Sequence, residues 1–269
     1  MKLKKNNNPI KKELKKLKLI SDSNLVVINR KTRDAKIKVL QDRISKVIFL
    51  EKYIRHKNYY SSLKNKTDFR KISEKSERKI AFVQTMVGDM KTPIINDDIR
   101  RSRQFKKLYK NKNILDFGCG WGGFLKNIKN AKSLNGVELG NQEIKFIKKN
   151  IKNVNISNNI NSFSNKFDII TLFHVLEHIP YQVKTLKLLK SKLKKKGKII
   201  IEVPHAEDFL IQQEKLTEFK NFIFWSEHLV LHTYNSIKTI LYEAGFKKVK
   251  ITFFQRHNLA NHLGWFLEK

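Results

Sequence analysis

The sequence predicts an α/β fold, a mostly parallel sheet with helices on both faces, preceded by a small N-terminal β/helical extension. Three observations predict it. A glycine-rich bend, Gly118 to Gly123, follows the short apolar run Asn113–Phe117 and leads into residues of helical periodicity. From there the chain alternates apolar runs with amphipathic stretches, the pattern of βαβ units. An acid, Glu138, closes the second apolar run, at the strand end where such sheets gather ligands.

Composition sets the bounds. At 269 residues and 40% hydrophobic content the chain can bury a real core. It divides into a basic extension with a small β element (residues 1–60), a helical cap (61–111) and the α/β domain (112–269). No apolar run is long enough to span a bilayer, and the N-terminus lacks the apolar region of a signal peptide. The single cysteine, Cys119, forms no intrachain disulfide and no multi-cysteine zinc site. A cytoplasmic protein is expected. Fifty-seven Lys+Arg against 24 Asp+Glu give a formal net charge of +33, which has two readings. A polyanionic partner or phosphorylated substrate is one. Compositional drift is the other, and the even spread of lysines favours it.

In chain order, Leu14, Leu17 and Ile20 suggest a short basic amphipathic helix after Pro9, read as a solvated, partly frayed terminus rather than a membrane-surface helix. Residues 25–49 hold three β-like runs, expected to form a small antiparallel element ahead of the main domain. Residues 61–110 look helical and polar; Gly88 and Pro93 break one helix, and Asp97-Asp98 opens the next. The core then reads strand Asn113–Phe117, helix 123–130, strand Ser133–Val137, helix Asn141–Asn150, a weak strand at 154–156 and the apolar strand Phe167–Phe173. A helix over 183–193 ending in a lysine run, a strand over 198–203, a lid or substrate helix within 206–222, a helix over 236–244 closed by Gly245 and a strand over 248–254 complete it.

The glycine bend admits two cofactors. Gly118-x-Gly120-x-x-Gly123 satisfies the dinucleotide pattern, which alone is weak. The same stretch reads Asp116-x-Gly118-x-Gly120-x-Gly122, with an acid two residues before the first glycine. A pyrophosphate would be repelled by that carboxylate; a cationic ligand would be held. This string resembles motif I of the class I S-adenosylmethionine (SAM) methyltransferases. The run Phe167 to Pro180, FDIITLFHVLEHIP, resembles their motif IV and decides between the cofactors. The resemblance spans about residues 97–255 and implies a Rossmann-like sheet binding SAM. It implies that Asp116 holds the methionine end, that Gly118, Gly120 and Gly122 form the turn, and that Glu138 takes the ribose hydroxyls. An asparagine carbonyl, Asn159 or its neighbour, would meet the adenine, and His174 would be a cofactor or substrate contact.

A narrower resemblance, to sugar-nucleotide methyltransferases, rests on an N-terminal extension with a tyrosine (Tyr59 or Tyr60) and on Glu227-His228 before the last core helix. Their cysteine-rich zinc element is absent, and Trp225 stands where they have tyrosine. It implies a small-molecule acceptor, phosphorylated or not, such as a nucleotide-linked sugar or surface-glycan precursor. Histidine titrates near neutrality and suits the proton-removing role. His228 oriented by Glu227 is the first candidate and His178 the second, with Tyr59, Tyr60 and Trp225 toward the acceptor. His205, His232, His257 and His262 read as structural. His174-x-x-Glu177-His178 matches an inverted zinc-protease order, yet a strand end and Pro180 deny it the helix that motif needs, so no metal is expected. Two alternatives remain: an RNA or DNA methyltransferase, favoured by the charge, and a non-catalytic protein that keeps the fold.

Overall fold

The structure, a computed structural model, describes residues 8–54, 93–213, 216–255, 262, 263 and 266. In chain order the helices are α1 (Pro9–Lys16), α2 (Pro93–Gln104), α3 (Lys106–Tyr109), α4 (Gly123–Asn127), α5 (Asn141–Asn150), α6 (Gln182–Ser191), α7 (Phe209–Gln212), α8 (Thr217–Ile223) and α9 (Tyr234–Glu243). The strands are β1 (Leu25–Asn29), β2 (Val39–Asp42), β3 (Ile48–Leu50), β4 (Asn113–Phe117), β5 (Ser133–Val137), β6 (Val154–Ser157), β7 (Phe167–Phe173), β8 (Leu193–Glu202) and β9 (Val230–Leu231). They fall into two compact units. One draws on Met1–Arg55, His174–Ser191 and Ile201–Lys269, the other on His56–Phe173 and Lys192–Ile200.

The second unit carries the parallel sheet, in the order β6-β5-β4-β7-β8. β4 pairs in parallel with β5 on one side and β7 on the other, so the order reverses at β4. β8 runs parallel as well, because Phe167 N bonds Lys192 O and His174 N bonds Glu202 O in ascending order. This is the Rossmann-like arrangement the glycine bend and alternation predict. Ile114, Leu115, Ile170 and Leu172 are fully buried, as strands covered on both faces must be. The predicted bounds of β4, β5, β7 and α5 hold to the residue.

Three expectations need correction here. The helix after the glycine bend stops at Asn127, since Ile128 is extended and Asn130 turns left-handed at φ 62°. The lysine run does not end a helix: Lys194, Lys195 and Lys196 are exposed on β8, an edge strand, where lysine discourages pairing with another chain. No strand forms among residues 246–255; Phe253 and Phe254 are exposed instead, with Phe253 lying against the His205 ring.

The first unit holds an antiparallel sheet, β1-β2-β3-β9. The three predicted N-terminal runs supply β1 to β3, and β9 completes it through Ile48↔Leu231 and Phe49↔Val230. Helix α1, expected to be partly frayed, is packed instead. Ile10, Leu14 and Ile20 are buried in one core with Val47, Phe49, Leu210, Phe219 and Val230. Asn8 caps α1, and Glu13 accepts the first N–H groups of α6, from Gln182 and Val183, at 3.1 Å each. The 206–222 insertion likewise sends Leu210, Ile211, Leu216 and Phe219 into this core, so its two short helices are packed structure and not a loose lid.

Candidate functional site

The glycine bend lies at the carboxyl end of β4. Gly118, Gly120 and Gly122 have φ of 78°, 51° and 74°, a region that side chains with a Cβ rarely adopt. Gly118 and Cys119 donate to the Val137 carbonyl at 2.8 and 3.1 Å, which fastens the bend to the end of β5. At Gly122 space is also absent, because a Cβ would stand 2.7 Å from Ile151 Cδ1.

Two of the predicted acids frame this bend. Glu138 accepts from Gly120 N at 2.8 Å through one oxygen and from Leu139 N and Gly140 N at 2.7 and 2.9 Å through the other. A carboxylate has about four lone-pair directions, so one is left for a ribose hydroxyl unless Gly120 yields. Asp116 is buried and accepts a 2.6 Å bond from the Thr171 hydroxyl. Burial pushes its carboxyl up to about 7; the negative Asp98 and Glu138 add to the shift, while the Thr171 bond and Arg101 oppose it.

Asp98 is a further candidate, one that the sequence alone does not single out. It lies on α2, its carboxylate occupies the space a Cβ on Gly123 would need, and Arg101 Nη1 stands 3.6 Å away. The available signal is an acid on the helix before the first core strand. Three carboxylates therefore surround one bend, and burial draws one of them toward its protonated form. Such a site suits a cation and repels a pyrophosphate.

Cys119 is buried with its thiol pushed far up by burial, and its Sγ fills the space beside Gly136, so it packs and does not react. Asn159 is exposed and its Oδ1 accepts from Asn161 N at 2.9 Å, capping a short 3-10 turn. Trp121, within the bend, meets Phe146 edge-on at 5.2 Å. Tyr59 and Tyr60 lie outside the described residues.

The histidines expected to do chemistry gather in the first unit. His174 follows β7 with a left-handed backbone, φ 55°, a strained geometry for a residue with a Cβ. Its Nδ1 is 3.2 Å from Glu177 Oε1 and its Nε2 3.3 Å from Glu202 Oε1. Residues 176–178 form a single 3-10 turn, held by the Leu229 N–H on the Glu177 carbonyl at 2.9 Å. That bond sets His228 beside His178, with ring centroids 5.0 Å apart. Trp225 lies 6.1 Å from one ring and 5.8 Å from the other, under the Arg33 guanidinium at 4.5 Å.

His178 Nδ1 is 2.9 Å from the Glu227 carbonyl, and His228 Nδ1 is 2.7 Å from the Ile223 carbonyl. A carbonyl only accepts, so both Nδ1 atoms carry hydrogen, and the neutral form of either ring has its lone pair on Nε2. Glu227 thus orients His178 through its backbone, while the Ile223 carbonyl orients His228. Burial, with Asp34 nearby, pushes the Glu227 carboxyl up to about 8, which favours its protonated form at neutral pH. Burial and His178 hold His228 down at about 4, so it is neutral. Glu177 is fully buried; burial would raise it, but the His174 bond and the surrounding imidazoles bring it down to about 2. His232 is structural as expected, buried between Ser236 Oγ at 3.1 Å and Gln182 Oε1 at 2.9 Å.

A family model described as a methyltransferase domain matches residues 95–251. An uncharacterized protein of Methanocaldococcus jannaschii is 34% identical over 122 residues, 43% of this chain and 52% of that protein. The chain thus spans about half the length of that curated relative. Among solved structures, the plantazolicin methyltransferase BamL, bound to a triazolic desmethyl analogue and SAH, aligns with a TM-score of 0.44 at 19% identity, covering 63% of this chain and 68% of that one. The YcgJ protein of Bacillus subtilis aligns with a TM-score of 0.45 at 16% identity, covering 55% and 68%.

Proposed function

Because the chain belongs to the methyltransferase-domain family, we propose that it transfers the methyl group of SAM to a small-molecule acceptor, of the class of nucleotide-linked sugars or surface-glycan precursors. The observation that carries the SAM reading is the group of carboxylates, Asp98, Asp116 and Glu138, around a bend whose Gly118, Gly120 and Gly122 are all left-handed. SAM presents a sulfonium and an ammonium there. Asp116 and Asp98 take the cationic methionine end, and Glu138 takes the ribose. Asn159 is the candidate for the adenine amino group and His174 for a contact at the cofactor or the acceptor.

The methyl already sits on an excellent leaving group, so alignment supplies much of the rate. For a hydroxyl or carbon acceptor a proton must also leave, and a placed base is worth about 10²–10⁴-fold. His228 and His178 each offer an Nε2 lone pair for that step. Trp225 and the tyrosine pair at 59 and 60 are the proposed acceptor contacts. The excess of basic residues suits a phosphorylated acceptor.

Calorimetry of the full chain with SAM and with NAD tests the donor: saturable SAM binding without NAD binding is expected, and the reverse would overturn the reading. Incubation with methyl-labelled SAM and a panel of nucleotide sugars tests the acceptor. The charge of +33 favours one other reading, a nucleic-acid methyltransferase. RNA affinity falling steeply with salt, together with label transfer to RNA, would replace the sugar acceptor. SAM binding with transfer to neither class leaves a non-catalytic protein of this fold. Among the described residues no helix is long and apolar enough to cross a membrane, and we place the reaction in the cytoplasm.

A further inference from the structure

We propose that Glu177, His178 and His228 form a binding site for a divalent transition-metal ion. One donor atom from each lies within 4.8 Å of the other two. Glu177 and His178 are adjacent and His228 comes from a distant stretch, brought beside them by the Leu229 N–H bond to the Glu177 carbonyl.

The hydrogen bonds around the three donors are those a metal site needs. Each imidazole donates Nδ1–H to a backbone carbonyl, which fixes the ring and leaves the Nε2 lone pair for a ligand bond. Glu177 Oε1 is held by His174, whereas Glu177 Oε2 is buried with no hydrogen-bond partner among the described residues. A buried carboxylate oxygen left unpaired carries a desolvation penalty, which a cation removes. Two neutral nitrogens and one carboxylate oxygen match ions of intermediate softness, zinc, manganese or iron(II), better than magnesium or calcium, which prefer oxygen alone. Three protein ligands leave positions open for an acceptor oxygen or water; the ion takes the two Nε2 lone pairs, so His178 and His228 act as bases only in the metal-free protein.

The sequence order His174-x-x-Glu177-His178 suggests a different set. The structure turns His174 toward Glu177 and Glu202 as a support for the carboxylate, and His228 supplies the third donor. This site depends neither on the identity of the acceptor nor on SAM.

The full chain, stripped with a chelator and dialysed, is titrated with Zn²⁺ by calorimetry and with Co²⁺ by visible absorption. One equivalent is expected to bind, with affinity reduced tenfold or more in His228→Gln and in His178→Gln and unchanged in His262→Gln. Absence of stoichiometric binding by the wild type, or equal affinity in all variants, overturns the site. Should the two ligand variants fail to fold, X-ray absorption of the zinc-loaded wild type decides. Two imidazoles with one carboxylate support the site, and any shell without both imidazoles overturns it.

Discussion

Asp116 on β4 and Thr171 on β7 face each other in the parallel register, and the Thr171 hydroxyl donates a 2.6 Å hydrogen bond to Asp116 Oδ1. The pair sits at the point where the strand order reverses, under the glycine bend. Thr171→Val keeps the shape and removes the donor. A hydrogen bond to a charged group contributes about 1.5–3 kcal/mol, so the Asp116 carboxyl should titrate at least about one unit higher. SAM affinity at neutral pH should fall about tenfold, which calorimetry reads.

The same carboxyl gives the protein a pH dependence. Its folded-state value is about 7, against about 3.9 for an unperturbed aspartate. Between these values the unfolded chain has released the proton and the folded chain retains it. This group therefore lowers stability as pH rises from about 4 to 7, and no further above that. Asp116→Asn should flatten that part of the urea-midpoint profile. A cationic donor favours the ionised form, so SAM affinity of the wild type should climb as pH rises through the folded-state value, and that slope should vanish in the variant.

Two glycines of the bend should respond differently to one methyl group. At Gly120 a Cβ meets nothing within 4 Å, so Gly120→Ala bears only the left-handed backbone penalty, about 1 kcal/mol. At Gly122 the same φ problem is joined by a collision with Ile151 and Ile147. Gly122→Ala should lose about 2–4 kcal/mol, the backbone term plus overpacking. Chemical denaturation separates the two.

Leu14 is 1% exposed, inside the core built from β1 to β3, α7 and α8. Leu14→Ala should destabilise the chain by about 2–5 kcal/mol. A frayed terminus would give almost no change, so thermal or urea melts distinguish the two pictures.

Most of the parallel sheet was legible because β4, β5 and β7 are short runs between a bend and a helix, so local periodicity suffices, whereas the lysines that open β8 hid its first half. The gathering of Gly118, Gly120, Gly122, Asp116 and Glu138 around one bend was legible for the same reason: closely spaced glycines and two strand-end acids leave marks within a few residues. Asp98 left no such mark, since one acid among many on a polar helix is ordinary until the fold sets it against Gly123. The docking of α1 was hidden by its lysines, because Ile10 and Leu14 are too few to announce a buried face. Val230-Leu231 is too short to read as a strand and gains that character only from β3. The approach of Glu177 to His228 was hidden by distance along the chain, and so was the Ile223 carbonyl that meets His228 Nδ1.

The union of β3 with β9 has a bearing on how the protein is made. Residues 48–50 cannot acquire their last neighbour until residues 230 and 231 have emerged from the ribosome, by which time the whole glycine-bend unit has been synthesised and is free to fold first. Throughout that interval the apolar edge of β3 is open to association with other nascent chains. Overexpression should therefore be most vulnerable to aggregation during translation, and a polypeptide cut at residue 60 would free an N-terminal piece deprived of the partner that covers it.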